Sequence, residues 1–216
     1  EWDSYRWAPI STVDRASGLF DAEGYFHHRE APVQAGATLD AVRAEVQAQF
    51  DKAVQFGIVP THMDAHMLTI LHPRLVTAYI ETATQAKVPF MLPRISAEAA
   101  KSYGYEAGIA EELGALVQQL EEQGIPLVDG FDSMPLDDPD DQINFAKKKL
   151  RELPAGITHF VFHPSTDTPE LRAICPDWPS RVANYNAFMS QEIKDFIKNE
   201  GIQVIGYNVL RDLMRS

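Results

Sequence analysis

Short apolar runs alternate with longer segments of helical periodicity along most of this chain, and this alternation restricts its fold more than any other feature. The runs are residues 58–63, 88–92, 125–128, 157–162 and 202–207. A short apolar run between helices is typical of a parallel strand that is buried on both faces. We therefore predict an α/β fold with a parallel sheet, in a single domain over residues 1–216.

Residues that start and stop helices lie between these runs. Thr38 is suited to cap a helix that Gly57 ends, and Ser190 is suited to cap one that Gly201 ends. Further helices are predicted over residues 73–83, 109–123, 140–153 and after 207. The segment before Thr38 carries turn residues without a helical period, so it is predicted to be irregular.

Two architectures fit this order of elements, namely a (β/α) barrel and an open doubly wound sheet. The five predicted strands are too few to close a barrel of the usual eight. Either the sheet is open, or further strands precede Glu1. The chain begins at Glu1 without an initiator Met, so we expect that a segment is missing upstream.

The charge balance and the single cysteine restrict the partners and the location. Nineteen Lys and Arg against 31 Asp and Glu give a net charge of −12. An acidic chain without a basic patch repels phosphate backbones, so we expect no nucleic-acid partner. No apolar run approaches the roughly 20 residues that span a bilayer, so we expect no membrane partner. Because Cys175 is the one cysteine, an intramolecular disulfide is excluded and a cytoplasmic location is favoured.

The densest group of metal-ligating and proton-transferring residues follows the first apolar run. His62, Asp64 and His66 are spaced two residues apart, which places them on one face of an extended strand. At about 3.3 Å per residue, the two histidines would lie roughly 13 Å apart, too far for both to bind one zinc ion. Either the backbone turns after Asp64, or only one histidine binds metal and the other does different work. Alternatively, one histidine is a core residue and Asp64 caps a loop.

Other predicted strand ends add candidates, because functional side chains collect there in parallel sheets. His163 follows the fourth run and can act as a general acid or base, or it packs against Pro164. Arg94 can bind a carboxylate or a sugar hydroxyl, or form a surface salt bridge. Asp129 and Asp132 can orient a histidine or bind substrate, or cap loops. His159 lies at the start of the fourth run and is expected to be structural.

The chain lacks several motifs that would indicate other chemistry. It has no Gly-rich nucleotide-binding loop of the Walker or dinucleotide type and no Gly-x-Ser-x-Gly elbow. Cys175 has no obvious histidine partner in the sequence. Nucleotide binding and a nucleophilic serine or cysteine mechanism therefore have little support.

Two motifs together resemble the YdjC-like carbohydrate deacetylases, a family that includes chitooligosaccharide deacetylases. They are Thr-His-Met-Asp-Ala-His at residues 61–66 and Phe-His-Pro at residues 162–164. Further segments resemble that family on both sides of these motifs: residues 6–7, 21–26, 169–172, 177–178, 181–182, 192–194 and 201–207. The resemblance covers nearly the whole chain.

This resemblance implies a distorted (β/α) barrel, similar to a TIM barrel, whose N-terminal strands lie upstream of Glu1. It also implies a divalent metal, magnesium or zinc, held by one aspartate and two histidines. One of these ligands falls on His66, and the other two are expected upstream of Glu1. The histidine of the His-Pro motif falls on His163, as proton donor to the leaving amine.

The predicted function is metal-dependent removal of acetyl groups from N-acetylated sugars or oligosaccharides. His163 and Asp64 are the candidate catalytic residues, and His66 is the candidate metal ligand. The candidate substrate-binding residues are Arg94, Asp129 and His62. One alternative is a metal-dependent hydrolase that acts on another amide or ester, and another is an inactive sugar-binding remnant if the chain is complete. The oligomeric state stays open, with a homodimer as one option.

Overall fold

The computed structural model describes residues 2–102 and 106–216, which form a mixed α/β fold with a small open parallel sheet. Glu1, and the expectation about what precedes it, lie outside the described residues. The helices are α1 (Glu30–Gly36), α2 (Leu39–Gln55), α3 (Val76–Gln85), α4 (Ala97–Ser102), α5 (Ala107–Glu122), α6 (Gln142–Glu152), α7 (Pro169–Ile174), α8 (Trp178–Met189), α9 (Gln191–Asn199) and α10 (Tyr207–Arg215). The strands are β1 (Gly130–Ser133) and β2 (Thr158–Val161). Across these two described stretches, no helix is both long and apolar enough to cross a bilayer.

The sheet consists of β1 and β2, which run parallel with Gly130 opposite Thr158 and Ser133 opposite Val161. The predicted strand at 157–162 is therefore confirmed in its central part. The predicted strand at 125–128 is reduced to one bridging residue, Val128, within a buried run, and the ladder with β2 begins only at Gly130. Asp132 accordingly lies within a strand and not after one.

Two other predicted strands, at 58–63 and 88–92, meet at a single parallel bridge between Met63 and Phe90. The Met63 N–H donates to the Pro89 carbonyl at 3.0 Å, and the Met91 N–H donates to the Met63 carbonyl at 3.0 Å. The parallel direction was predicted correctly, whereas the length was not. A further correction concerns 202–207, which forms no strand within the described residues.

The two residues that were predicted to cap helices do so in the structure. The Thr38 side chain accepts from the Ala41 N–H at the start of α2, and Gly57 follows α2 with a φ of 80°. The Ser190 side chain accepts from the Ile193 N–H at the start of α9. Four of the described helices were not predicted: α1, α4, α7 and α8.

The first of two compact units comprises Glu1–Leu127 and Gly206–Ser216. Its largest buried cluster includes Tyr79 and Phe90, whose rings lie 5.7 Å apart edge to face. Helix α10 joins this unit through Met214 and Arg215, whose guanidinium donates to the carbonyl of Lys87 behind α3. The first unit thus combines the 58–92 region with the end of the chain.

The second compact unit is Val128–Ile205 and contains the sheet. Its core is built around Met134, Ala146, Leu150 and Ile193. Phe188 of α8 packs against the Phe162 ring at 4.2 Å, which fixes the segment that leaves β2. A single domain over residues 1–216 stays a prediction.

Candidate functional site

The loop at residues 61–66 holds His62 against an aromatic ring. His62 and Tyr207 stack with ring centroids 4.1 Å apart and planes within 5°. The Thr61 hydroxyl lies 3.0 Å from His62 Nδ1, within hydrogen-bond distance. These two contacts restrict both the tilt and the rotation of the imidazole.

Tyr79 fixes the backbone between His62 and Asp64. Its hydroxyl donates to the Met63 carbonyl at 2.6 Å and accepts from the Met91 N–H at 3.1 Å. Burial raises the pKa of the Tyr79 hydroxyl, and the negative charge of Asp64 adds to this effect. Burial and the negative charge of Asp64 likewise raise the pKa of the Tyr207 hydroxyl. Both phenols therefore stay protonated beside an exposed carboxylate.

The backbone changes direction at His66, the last residue of this motif. His66 begins a 3₁₀ turn that extends to Leu71, and its side chain is exposed. Met67 and Leu68 follow in the left-handed region with φ of 52° and 57°. Such conformations cost about 1–3 kcal/mol each outside glycine and cluster at functional sites. The two strained residues, Met67 and Leu68, therefore directly follow the candidate metal ligand, His66.

A cavity of about 830 Å³ opens beside this loop, within the first unit. Its walls include the apolar face of α2, the segment 58–67 and the N-terminal residues Trp7 and Phe26. Its polar lining includes His62, Asp64 and His66, and further polar side chains on its walls include those of His27, Arg29, Glu30, Glu45 and Gln49. Pockets of this size, mainly apolar with a few convergent polar groups, are typical of small-molecule sites.

The residues around His66 bear on its expected role as a metal ligand. Within residues 2–102 and 106–216, no three His, Cys, Asp or Glu side chains are grouped as metal ligands would be. His66 therefore offers one exposed imidazole, and the described residues do not complete a ligand set around it.

His163 lies two residues beyond β2 in the second unit, and its backbone is firmly held. Its N–H donates to the Asn184 side-chain oxygen at 3.2 Å, and Asn184 is completely buried. The Asn184 amide donates in turn to Gln142 Oε1 at 2.9 Å. The Ser165 N–H donates to the Arg181 carbonyl at 3.2 Å. A half-buried imidazole is thus carried by a backbone that α6 and α8 fix in position.

Asp129 connects the two strands of the sheet. Its carboxylate accepts from the Ile157 N–H at 2.8 Å, just before β2. Gly156 lies so close that a Cβ there would come within 2.4 Å of the Asp129 carboxylate. Asp132 pairs with Lys149 at 2.6 Å. These contacts give both aspartates structural partners, and substrate binding by Asp129 stays a prediction.

Arg94 forms a surface ion pair in the first unit. Its Nε lies 2.5 Å from Glu121 Oε1, and both side chains are roughly half exposed. Exposed pairs of this kind contribute about 0–1 kcal/mol to stability. Of the two alternatives for Arg94, the salt bridge is therefore present, and a role in sugar binding stays a prediction.

Two residues at these places were missed by the sequence analysis. Tyr207 ends the last apolar run, and the rule that polar residues collect at strand ends would have selected it. Asn184 lies in α8, which was not predicted, and no local pattern marks it. Its importance comes from complete burial, which only the fold reveals.

The chain is similar to a known family and to two carbohydrate deacetylases. The family model for YdjC-like protein matches residues 3–199. A carbohydrate deacetylase from Thermus thermophilus is 31% identical over 194 residues, which cover 90% of this chain and 68% of the relative. A carbohydrate deacetylase from Thermoanaerobacter pseudethanolicus is 24% identical over 203 residues, which cover 94% of this chain and 73% of the relative.

A solved structure supports the fold. The crystal structure of a proposed cellobiose-phosphate cleavage protein from Enterococcus faecalis V583 matches with a TM-score of 0.71 at 20% identity. The match covers 94% of this chain and 72% of that chain. Because the family model spans most of the residues described above, including both histidine motifs, the chain belongs to the YdjC-like protein family.

Proposed function

We propose that this protein is a carbohydrate deacetylase, a hydrolase that cleaves the C–N bond of N-acetylated sugars. The observation that carries the proposal is the cavity beside residues 61–66, on whose wall His62, Asp64 and His66 lie together. Relatives named carbohydrate deacetylase supply the reaction class. A cavity of about 830 Å³ has room for a sugar substrate.

Hydrolysis of an acetamide requires a proton acceptor for the attacking water and a proton donor for the departing amine. We assign the donor to His163, whose backbone is fixed by Asn184 so that the ring starts from a defined position. Asp64 lies on the cavity wall. We assign its carboxylate to accept hydrogen bonds from water or from the amide. The substrate-binding assignments are His62, Arg94 and Asp129.

Metal dependence is a further part of the proposal. His66 is assigned as one ligand of a divalent cation, magnesium or zinc, which would polarise the acetyl carbonyl when bound. Because the described residues do not complete the ligand set, no catalytic step is assigned to the metal.

The distorted (β/α) barrel also belongs to this proposal. Two observations support it: the parallel pairing of β1 with β2 and the parallel bridge between Met63 and Phe90. We further propose a cytoplasmic location, which the single cysteine supports. A homodimer is left as an option.

The test is a measurement of acetate release with magnesium or zinc added. The substrates are N-acetylglucosamine oligomers, an acetyl-lysine peptide and p-nitrophenyl acetate. We expect acetate from the sugars at a rate well above that from the other two compounds. Release from the peptide or the ester alone would favour the alternative hydrolase. Sugar binding without acetate release would favour a binding remnant.

A further inference from the structure

We propose that the aromatic cluster of Trp2, Tyr5 and Trp7 is a binding subsite for an additional sugar ring of an N-acetylated oligosaccharide. The inference deepens the proposed function and rests on it, since it assigns residues that would bind a further ring of the oligosaccharide. Trp7 lies at the centre of the cluster. The Tyr5 ring meets it edge to face at 5.4 Å, and the Trp2 ring lies tilted at 5.9 Å.

Two of the three rings are presented to solvent, which is unusual for side chains of this size. Tyr5 is 49% exposed and Trp7 is 47% exposed. Burial of large aromatic side chains is strongly favourable, so clustered exposed rings indicate a surface that becomes covered by a ligand. A pyranose ring has a face of C–H groups that packs on an aromatic face, and its rim of hydroxyls stays available for hydrogen bonds.

The segment that carries the cluster is anchored by polar contacts. The Arg6 guanidinium pairs with Asp21 at 2.6 Å and with Glu23 at 2.9 Å, and it lies 5.0 Å above the Tyr25 ring. The Trp7 carbonyl accepts from the Phe26 N–H at 2.8 Å. A backbone that is already held in place loses less conformational entropy when a ligand binds, which favours affinity.

The cluster is continuous with the candidate site. Trp7 lines the same cavity as His62, Asp64 and His66. Just beyond Trp7, the N–H groups of residues 10 and 11 donate to the buried Glu45 carboxylate at 2.9–3.2 Å, which ties this segment to α2. A sugar ring that packs on Trp7 would therefore be linked to another sugar ring, whose acetamide lies beside residues 61–66.

The charges around the cluster favour a neutral, hydroxyl-rich ligand. Asp3 is fully exposed and lies 3.5 Å from His28 Nδ1, and Glu23 is 73% exposed and pairs with Arg6. Carboxylates at the rim accept hydrogen bonds from hydroxyls, and they repel anionic lipid headgroups and nucleic acids. Among ligands that cover aromatic rings, an uncharged oligosaccharide fits this surface best.

The test compares affinities for N-acetylglucosamine and for its dimer and tetramer by calorimetry, with the complete chain. The variants are Trp7→Ala and Trp7→Phe, and the matched control is Phe56→Ala, a 72% exposed ring at the end of α2. We expect wild-type affinity to rise with chain length. Trp7→Ala should weaken tetramer binding about tenfold, roughly 1.4 kcal/mol, with the monomer nearly unchanged. Trp7→Phe should retain part of the gain, and Phe56→Ala should bind like the wild type.

Three results would overturn the subsite. They are unchanged tetramer affinity in Trp7→Ala, an equal loss for monomer and tetramer in both Trp7 variants, and no length dependence in the wild type. If Trp7→Ala fails to fold, Tyr5→Ala replaces it with the same expectation. Acetate release is measured in parallel, so the two proposals can fail separately. Length-dependent binding through Trp7 without acetate release would support the subsite and contradict the deacetylase.

Discussion

The backbone N–H of His163 donates to the side-chain oxygen of Asn184 at 3.2 Å, and no part of Asn184 reaches solvent. Asn184 also donates to Gln142, so one buried amide joins α6, α8 and the segment after β2. Buried amides of this kind are retained only when their hydrogen bonds are satisfied. The position of the candidate proton donor therefore depends on a residue far from it in the sequence.

Asn184→Ala should lower the free energy of unfolding by about 2 kcal/mol, because it leaves the partner groups of His163 and Gln142 buried without hydrogen bonds. Urea unfolding followed by circular dichroism measures the change. Asn199→Ala, at the exposed end of α9, is the matched control and should stay within about 0.5 kcal/mol of the wild type. Equal stability of the two variants would contradict the structural role of Asn184.

His66→Ala should weaken binding of zinc at least about tenfold, because it removes an imidazole assigned as a direct ligand. Calorimetric titration with zinc alone, at neutral pH, measures the affinity. His72→Ala is the control, since His72 Nδ1 accepts from the Arg74 N–H at 3.3 Å and has no assigned metal role. Unchanged zinc affinity in His66→Ala would remove His66 from the proposed ligand set.

The Arg6–Asp21 ion pair should make stability depend on pH in acid. The hydrogen bond from Arg6 lowers the pKa of Asp21 from 3.8 to about 2. A carboxyl whose folded pKa is depressed stabilises the fold above its unfolded pKa, and this contribution is lost as the pH falls toward 2. The difference in unfolding free energy between wild type and Asp21→Asn should therefore shrink between about pH 4 and pH 2.

Asp195→Asn controls for the loss of a carboxylate in that experiment. Asp195 is exposed on α9 and accepts a hydrogen bond from Gln191. Its substitution should shift stability little across the same range. If the Asp21→Asn difference stayed constant from pH 5 to pH 2, the ion pair would not stabilise the fold in the way described.

Cys175 should react slowly with thiol reagents in the native protein. Burial raises the pKa of its thiol to about 11, helped by the hydrogen bond to Asp177 at 2.7 Å. Because the thiolate is the reactive form, little of it is present near pH 8. Labelling with Ellman's reagent should be far faster in urea than in buffer, and since Cys175 is the one cysteine the signal is unambiguous. Equal rates would contradict its burial.

Local features of the fold could be predicted well. The caps at Thr38 and Ser190 depend on a side chain and an N–H only three residues apart, so the sequence contains the whole interaction. Helices α2 and α9 were predicted for this reason. Helix α1 was missed because its seven residues show no clear apolar period.

Strands could be predicted only as buried runs, because a strand also needs a partner. Leu127 and Val128 are buried as predicted, yet the ladder begins two residues later at Gly130. Val204 is as apolar as these residues but is 79% exposed, and no described strand pairs with it. Apolar character identifies a core segment, whereas register depends on residues elsewhere in the chain.

The candidate site was predicted as a motif and not as a set of contacts. His62, Asp64 and His66 were selected from spacing, and the structure places all three on one cavity. The stack of His62 on Tyr207 joins residues 145 positions apart, so no local pattern could reveal it. The same holds for His163 and Asn184, whose contact depends on the packing of α8.

The most direct test of the account is the rate of acetate release from an N-acetylglucosamine oligomer by His163→Ala. His159→Ala is the control, since His159 lies in β2 with its ring 5.9 Å from Phe131 and has no assigned catalytic role. General acid catalysis contributes about 10²–10⁴-fold, so kcat of His163→Ala should fall at least about 10²-fold while His159→Ala stays near the wild type. Full activity in His163→Ala would contradict the assignment of this histidine as proton donor.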